Sequence, residues 1–496
     1  MTIRSKILKG SFILSFGQVA SYGCSFARNI ILLRILLKAD YGLASAFASA
    51  ISLLELAAKM ALNTLIVQAK EGDDADFQAT VQSFSVLAGI ASAGLMVLFA
   101  RPLAQWFNAP QAWLAFASLA LIPLLKGFNH LDIPRMQRDM RFGPLVTIDL
   151  VPQIIITLAA WPVAVWLKDY RAVLLLLYAK WALTLAGSHL LAERRYRWGW
   201  HIDYVRQILK FGWPLLINGF LLFAASQADR FVIGRYYTLE ELAEYGMAAT
   251  LSLVPGFMII HIIGAIMMPL LSRVQDSAKD FRKRYMLCMQ TMSLLATLFA
   301  TSLIVFGEAL AHLVGGEKYA GAGVYIGWLA TAAALRTIRA ATTTAALAKG
   351  DSKNLMSANI FRVSGLSFAI IAAFLGFDLY MIAVSAVMGE VLALTASVTL
   401  LSRRHGLALG DSFQPTGLSV AFIALAGGLV AFDIEIVGWS TVLPLALGLL
   451  LIPVIGMLLL FGEFRAQVLS LFAPIRTLAY SSFSQTLRGE QGEQKE

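Results

Sequence analysis

Apolar residues along this chain are gathered into runs of roughly 20, separated by short polar segments. A helix of that length crosses a hydrocarbon core about 30 Å thick, because it rises 1.5 Å per residue. The pattern predicts an all-α integral membrane protein. It predicts fourteen spanning helices, at about 11–36, 42–69, 79–101, 111–129, 145–167, 171–192, 212–235, 245–272, 285–312, 321–348, 354–376, 379–402, 416–436 and 439–462.

Basic residues fall unevenly on the two sides of these spans. With the N-terminus inside, 25 of the 40 Lys and Arg residues lie in cytoplasmic segments, six in outside segments and nine within spans. Cytoplasmic loops of membrane proteins carry the excess of Lys and Arg. The bias therefore predicts that both termini lie in the cytoplasm.

Composition supports a membrane protein and excludes several other classes. The chain is 58% hydrophobic and 14% charged, with a mean hydropathy of +0.71, whereas soluble domains carry about 25% charged residues. The net charge of +10 does not indicate nucleic acid, because the cations are spread over many short segments. Cys24 and Cys288 lie inside or beside apolar runs and are expected to be inert, buried thiols.

The chain contains an internal repeat. Shifted by 204 residues, Tyr41–Phe77 aligns with Tyr245–Phe281 without a gap, so that "DYGLASA" meets "EYGMAAT", with six of 37 positions identical. Repeats that share one topology place the substrate path between the two copies. The expected units are a six-helix bundle over 1–210, a second six-helix bundle over 211–412, helices 13 and 14 over 413–463, and a cytoplasmic amphipathic helix with a disordered tail over 464–496.

Nine basic and four acidic residues fall within the predicted spans. A charge facing lipid costs roughly 3 kcal/mol, so most of these residues must line a hydrated interior. The excess of five cations implies a mobile anion, and a diphosphate fits because guanidinium groups bind phosphate oxygens in pairs. We expect a substrate-binding cationic cavity from Arg28, Lys59, Lys126, Lys180, Arg230, Arg336, Arg339 and Arg362, and coupling or counter-charges at Glu55, Asp149, Asp229 and Glu390.

The repeat singles out four of these cations. Arg28 and Arg230 lie in the first helix of each copy, and Lys126 and Arg336 lie in the fourth. Equivalent depth in the two halves makes these four the preferred substrate contacts. Arg34 is expected to extend to the outer interface instead, so it is left out of the cavity.

The acids have alternative roles. Glu55 and Lys59 are four residues apart on one helix, so they could simply neutralise each other. Lys180 and Glu390 occupy equivalent places in helices 6 and 12 and could pair across the cavity. Glu390 could instead be a protonatable group coupled to transport, or a partner in an ordinary structural salt bridge.

Motifs for nucleotide and metal chemistry are missing from the sequence. There is no G-x-x-x-x-G-K-[ST] and no H-E-x-x-H, and the six histidines are scattered, so no cofactor and no metal site is predicted. Asp74-Ala75-Asp76 has the D-x-D form of some sugar-nucleotide enzymes, but a solvated turn accounts for it better.

Several stretches together resemble a known family. They are "DYGLASA", "LKFGWPLLINGFLLFAASQADRFVIGRYY", "EYGMAAT", "MMPLLSRVQD" and "GGEKYAGAGVYIGWLATAAALRTIRAATTTAALAKGD". The chain is similar to the polysaccharide transporter family of the MOP exporter superfamily, which includes Wzx-type flippases of the bacterial inner membrane. The resemblance implies a V-shaped, alternating-access cavity around an undecaprenyl-diphosphate-linked oligosaccharide. It also implies membrane lipids, a coupling ion (H⁺ or Na⁺), and polysaccharide polymerase and export machinery as partners.

Other functions stay open at this point. Peptidoglycan-precursor flippases and multidrug exporters share the implied architecture, although an excess of cations suits cationic drugs poorly. A membrane enzyme such as a polymerase or ligase is the second hypothesis. Such an enzyme would need a large outside loop to carry its catalytic groups, and the outside loops predicted for this chain are short. A scaffold for polysaccharide-synthesis proteins is the third, and it leaves the surplus intramembrane cations unexplained.

Overall fold

The computed structural model describes residues 3–58, 62–431, 439–462 and 464–466, and these residues form helices and connecting segments without a strand. The all-α fold is confirmed. The α-helices are α1 (Ile3–Ile35), α2 (Lys38–Ala58), α3 (Leu62–Gln68), α4 (Ala75–Trp106), α5 (Trp113–Ser118), α6 (Leu121–Gly127), α7 (Asp132–Arg138), α8 (Gly143–Leu167), α9 (Arg171–Leu190), α10 (Ile202–Tyr236), α11 (Leu239–Ser272), α12 (Ala278–Gly315), α13 (Gly323–Ala348), α14 (Ser352–Val363), α15 (Gly365–Phe374), α16 (Tyr380–His405), α17 (Leu409–Ala431) and α18 (Trp439–Leu460).

The predicted spans overlap these helices. Two of the spans are interrupted: 111–129 contains the separate helices α5 and α6, and 354–376 overlaps α14 and α15. Within the described ranges, nine helical segments are long and apolar enough to cross a membrane, or ten if the bent pair around residue 130 is one span. The count of fourteen stays a prediction. The break between α5 and α6 has a simple cause, because Pro123 lacks the N–H that would bond to the carbonyl of Leu119. The amphipathic helix and tail expected over 464–496 lie outside the described residues after Ala466.

Helices pack mainly within each half of the chain. In the first half α1 packs on α8, α8 on α9, and α4 on α5 and α6. In the second half α11, α12 and α13 pack together, α13 also packs on α16, and α12 packs on α17. The boundaries of the two bundles stay a prediction.

Glycines at equivalent places in the repeat bring the two halves together. Gly42 of α2 lies against the backbone carbonyl of Leu239 at the start of α11, and a Cβ atom would overlap that carbonyl. Gly246 of α11 lies against Ser45 of α2, where a Cβ would come within 2.7 Å of the hydroxyl oxygen. The Tyr-Gly dipeptides of "DYGLASA" and "EYGMAAT" thus allow α2 and α11 to approach closely.

The contact between the halves lies at the end of the molecule that the charge pattern predicts to be outer. Lys38 Nζ and Glu244 Oε1 form an ion pair of 2.5 Å between α2 and α11. Arg34 donates to the carbonyl of His312 across 3.4 Å, and the Trp106 indole N–H donates to the carbonyl of Phe231 across 2.9 Å. The largest buried core also draws on both halves at this end.

The ion pairs that the structure describes at the opposite end each lie within one half. Arg138 pairs with Asp73 in the first half at 3.2 Å. Arg404 pairs with Asp351 in the second half at 3.0 Å. The two halves are therefore fastened together at the predicted outer end, while these polar contacts at the predicted cytoplasmic end stabilise each half by itself.

Candidate functional site

Arg28 and Arg230 line one cavity between the two halves. Arg28 is seven residues before the end of α1 and Arg230 six before the end of α10, so each lies about 10 Å below the predicted outer end of its helix. The cavity has a volume of about 200 Å³, and Tyr41 and Thr250 contribute to its wall. The two arginines therefore lie at similar distances from the ends of their helices, and their role as substrate contacts stays a prediction.

Neither arginine has a carboxylate within ion-pair distance among the described residues. Arg28 Nη2 donates to the Ser25 hydroxyl across 3.1 Å, whereas its buried Nη1 has no hydrogen-bond partner in the described parts of the chain. Arg230 Nη1 donates to Gln227 Oε1 across 2.8 Å. Both guanidinium charges are thus left to be balanced by something other than these side chains.

Asp229 lies beside Arg230 but is used differently. Its Oδ1 accepts the backbone N–H of Arg230 across 2.9 Å, and its Oδ2 accepts the hydroxyl of Tyr245 across 2.6 Å. Tyr245 is fully buried. The Asp229 carboxylate therefore links the C-terminal part of α10 to α11. This link holds the Arg230 side chain at the junction of the two halves.

A second cavity adjoins the first and shares Asn29, Arg230 and Thr250 with it. Its volume is about 260 Å³, and Arg336 and Arg362 of the second half also line it. The Arg336 guanidinium lies 5.2 Å above the ring of Phe257, another wall residue. Arginines from α1, α10, α13 and α14 therefore surround two neighbouring spaces.

Glu390 of α16 binds three arginines at once. Its carboxylate lies 2.7 Å from Arg336, 3.1 Å from Arg339 and 2.8 Å from Arg362. The Glu390 side chain is only 1% exposed, and the arginine side chains are 6–13% exposed. One negative charge facing three positive charges leaves the cluster with a surplus of two, so Glu390 only partly neutralises it.

Lys126 lies apart from the arginines. It lines a different cavity, of about 570 Å³, between the first half and three residues of α10, Leu215, Gly219 and Leu222. Its Nζ lies 3.7 Å from the ring centre of Trp181, and Lys180 Nζ lies 5.2 Å from the same ring. The four cations selected from the repeat are thus divided between Lys126 in one space and Arg28, Arg230 and Arg336 in the other two.

The remaining expected charges have mixed outcomes. Asp149 accepts a hydrogen bond of 2.8 Å from the Ser21 hydroxyl, between α8 and α1. Lys59 lies outside the described residues, and so does the side chain of Glu55, so their pairing stays a prediction. Across the described chain no group of three His, Cys, Asp or Glu side chains is placed to hold a metal ion.

Two wall tyrosines were missed from the sequence. Tyr41 lines the cavity of Arg28, and Tyr245 lines the cavity of Arg336. Both belong to the repeated Tyr-Gly dipeptide, which drew attention to the repeat but not to the site. The paired positions of the two tyrosines in the repeat were the signal that could have found them.

The fold defines the class of protein, a multi-pass helical membrane protein, and it is shared with solved membrane transporters. It resembles the lipid II flippase MurJ in an inward closed conformation, with a TM-score of 0.70 and 12% identity over 90% of this chain and 98% of that one. It also resembles an inward-facing multidrug resistance MATE family transporter of the MOP superfamily, with a TM-score of 0.64 and 14% identity over 78% and 95% of the two chains. At these identities the likeness shows the fold.

The sequence places the chain in a family. The family described as "Polysaccharide biosynthesis protein" matches residues 31–324, more than half of the chain, and the chain belongs to that family. It is 21% identical to the lipopolysaccharide biosynthesis protein WzxC of Escherichia coli (strain K12) over 331 residues. That match covers 64% of this chain and 65% of WzxC, so the chain spans just under two thirds of the length of this relative. The resemblance stated from sequence is confirmed.

Proposed function

We propose that the protein is a flippase that moves an undecaprenyl-diphosphate-linked oligosaccharide from the inner to the outer leaflet of the bacterial cytoplasmic membrane. The observation that carries the proposal is the pair Arg28 and Arg230, which belong to opposite halves, line one cavity and have no carboxylate partner among the described residues. Their positive charges are therefore available to bind an anion that enters and leaves the cavity.

A diphosphate suits this arrangement better than a single carboxylate. Each guanidinium presents a planar fork that binds two phosphate oxygens, and a diphosphate offers two adjacent phosphoryl groups. Arg336 and Arg362 line the adjoining cavity and share a single acid, Glu390, so they add positive charge next to the same place. The glycan would occupy the space between the halves while the polyprenyl chain stays in lipid.

The relatives support this assignment. WzxC is named as a lipopolysaccharide biosynthesis protein, and MurJ is named as a lipid II flippase. We infer a bacterial inner-membrane location with both termini in the cytoplasm, and transport driven by H⁺, Na⁺ or the membrane potential. Membrane lipids and the polysaccharide polymerase and export machinery are the proposed partners, and the protein itself is proposed not to be an enzyme.

The closed end of the structure suggests which side loads the substrate. Lys38 and Glu244 fasten the halves at the predicted outer end, about 10 Å beyond the level of Arg28 and Arg230. A diphosphate would therefore enter from the cytoplasmic side and stop below this contact. Separation of α2 from α11 would then release it outward.

The second candidate is an exporter of a peptidoglycan precursor, favoured by the structural likeness to MurJ. Both substrates carry a diphosphate, so the arginines do not distinguish the two functions. The lipid-linked intermediate that accumulates in a deletion strain does distinguish them. If the first proposal holds, that strain should accumulate the complete repeat unit of a polysaccharide on undecaprenyl diphosphate. Accumulation of a peptidoglycan precursor would favour the alternative.

The site is tested by complementing that deletion strain. The double variant Arg28→Ala/Arg230→Ala should insert normally, fail to restore surface polysaccharide and leave lipid-linked repeat units in the inner leaflet. The matched control is Arg171→Ala/Arg206→Ala, which removes two exposed arginines and should restore export fully. Export at the control level by the cavity variant would refute the site assignment.

A further inference from the structure

A separate group of cations lies at the predicted cytoplasmic end of the first half. The non-helical segment 191–201, which joins α9 to α10, contributes Arg194, Arg195 and Arg197 to the wall of a cavity of about 220 Å³. The rest of the wall comes from Tyr196 in the same segment, from the start of α4 and from His130. None of the nine described wall residues is acidic.

Two of these arginines make no polar contact with the described part of the chain. Arg194 Nη1 donates to the backbone carbonyl of Asp73 across 2.9 Å and to Gln78 Oε1 across 3.0 Å, so it helps to shape the wall. Arg195 and Arg197 are exposed and make no hydrogen bond or ion pair with the described residues. Their guanidinium groups are free to bind a ligand in the cavity.

Nearby carboxylates are already engaged. Asp73 pairs with Arg138 at 3.2 Å, and Glu193 pairs with Arg141 at 2.7 Å. Asp74 accepts the hydroxyl of Tyr204 across 2.9 Å. These acids are therefore directed to other groups, and they leave the surplus positive charge at Arg195 and Arg197.

His130 adds a buried donor to the same wall. It is only 4% exposed, and its Nδ1 accepts the backbone N–H of Asp132 across 3.1 Å. An amide nitrogen can only donate, so the proton of the neutral ring is on Nε2. That Nε2–H has no partner in the described structure. A buried N–H without a partner is costly, but His130 lines both this cavity and the cavity of Lys126 and packs against the ring of Tyr196, so we assign it to the wall and not to the ligand.

Aromatic and apolar side chains place the cavity at the membrane surface. Trp198 and Trp200, which follow the arginines directly, are 62% and 52% exposed, and Leu190 at the end of α9 is 83% exposed. Exposed tryptophans gather at the level of the lipid head groups, where their rings are half in lipid and half in water. Arginines between such residues lie at the level of lipid phosphates.

We propose that this cavity, formed by residues 194–197, the start of α4 and His130, binds the phosphoryl group of a membrane lipid at the cytoplasmic surface. Arg195 and Arg197 supply the charge, and Arg194 holds their segment against the start of α4 through its bonds to Asp73 and Gln78. The lipid is an anionic phospholipid or a polyprenyl diphosphate, which present the same phosphoryl chemistry. The site is distinct from the cavity of Arg28 and Arg230.

Native mass spectrometry of the purified full-length protein tests the proposal. The probes are dioleoyl phosphatidylglycerol, undecaprenyl diphosphate, dioleoylglycerol and inorganic phosphate. All compared proteins carry Arg28→Ala/Arg230→Ala, so that the cavity between the halves does not contribute to binding of undecaprenyl diphosphate. Adding Arg195→Gln/Arg197→Gln should then weaken binding of a phosphoryl lipid about 30-fold. The control Arg206→Gln/Arg403→Gln removes two exposed arginines from the same predicted side and should change binding less than twofold.

The two lipid arms identify the source of the phosphoryl group. Weaker binding of phosphatidylglycerol in the cavity variant identifies bulk anionic phospholipid, and weaker binding of undecaprenyl diphosphate alone identifies the carrier lipid. Either result supports the site. The proposal would be overturned by equal lipid binding in the cavity and control variants. It would also be overturned if dioleoylglycerol bound as tightly as the phosphoryl lipids, or if inorganic phosphate bound and neither phosphoryl lipid did.

Discussion

Glu390→Gln removes the only carboxylate within ion-pair distance of Arg336, Arg339 and Arg362 in the described structure. Removing one partner of a buried ion pair costs about 3–5 kcal/mol, because the remaining charge is left buried and uncompensated. Three guanidinium groups share Glu390 here, at 2.7–3.1 Å, so we expect a loss near the upper end, about 5 kcal/mol. The glutamine can accept a hydrogen bond through its amide oxygen, but it brings no charge.

The free energy of unfolding, measured by steric trapping in bicelles, gives the test. Glu390→Asp keeps the charge on a shorter side chain and should lose less than Glu390→Gln. Glu240→Gln changes an exposed acid and should stay within about 0.5 kcal/mol of the wild type. If Glu390→Gln were as stable as Glu240→Gln, Glu390 would not be a counter-charge, and the interpretation of Glu390 as a protonatable coupling group would gain support.

Three further predictions follow from the contacts at the two ends and in the cavity. Reversing the charge in Lys38→Glu should favour separation of the outer end by about 1–3 kcal/mol, and the exchange Lys38→Glu/Glu244→Lys should restore closure, as measured by the distance between spin labels on α2 and α11. Burial acts to raise the pKa of Asp351, but hydrogen bonds from Arg404 outweigh it, so the pKa is lowered from 3.8. The stabilisation of the fold by the charged Asp351 carboxylate is therefore complete above pH 3.8 and is lost as the pH falls through the lowered pKa. The difference in stability between the wild type and Asp351→Asn should shrink below about pH 4. Arg28→Lys keeps the charge but loses the fork, and flipping should fall about tenfold, less than in Arg28→Ala.

Hydropathy and the repeat predicted much of the architecture. Apolar runs predicted helices because a membrane leaves the backbone no other way to satisfy its hydrogen bonds within one segment. The repeat also placed Arg28 and Arg230 at similar depth, and both line one cavity. The repeat could not predict how Gly42 and Gly246 function, because their role depends on the distance between α2 and α11.

The partners of individual charges could not be predicted. Glu390 was matched with Lys180 through the repeat, but the structure places it among three arginines of α13 and α14. Arg336 and Arg339 are three residues apart, so both can reach the same acid, but only the packing of α13 on α16 brings that acid to them. Lys126 is equivalent to Arg336 in the repeat, yet it lines another cavity because the two halves do not place their fourth helices against the same space.

The central claim is that Arg28 and Arg230, from opposite halves, bind a diphosphate. Undecaprenyl diphosphate binding to the reconstituted Arg195→Gln/Arg197→Gln protein, which lacks the peripheral phosphoryl site, is measured in competition with undecaprenol of the same chain length and tests that claim directly. This protein should prefer the diphosphate with or without Arg171→Ala/Arg206→Ala, and it should lose the preference when Arg28→Ala/Arg230→Ala is added. An unchanged preference for the diphosphate in the Arg28→Ala/Arg230→Ala protein would contradict the claim.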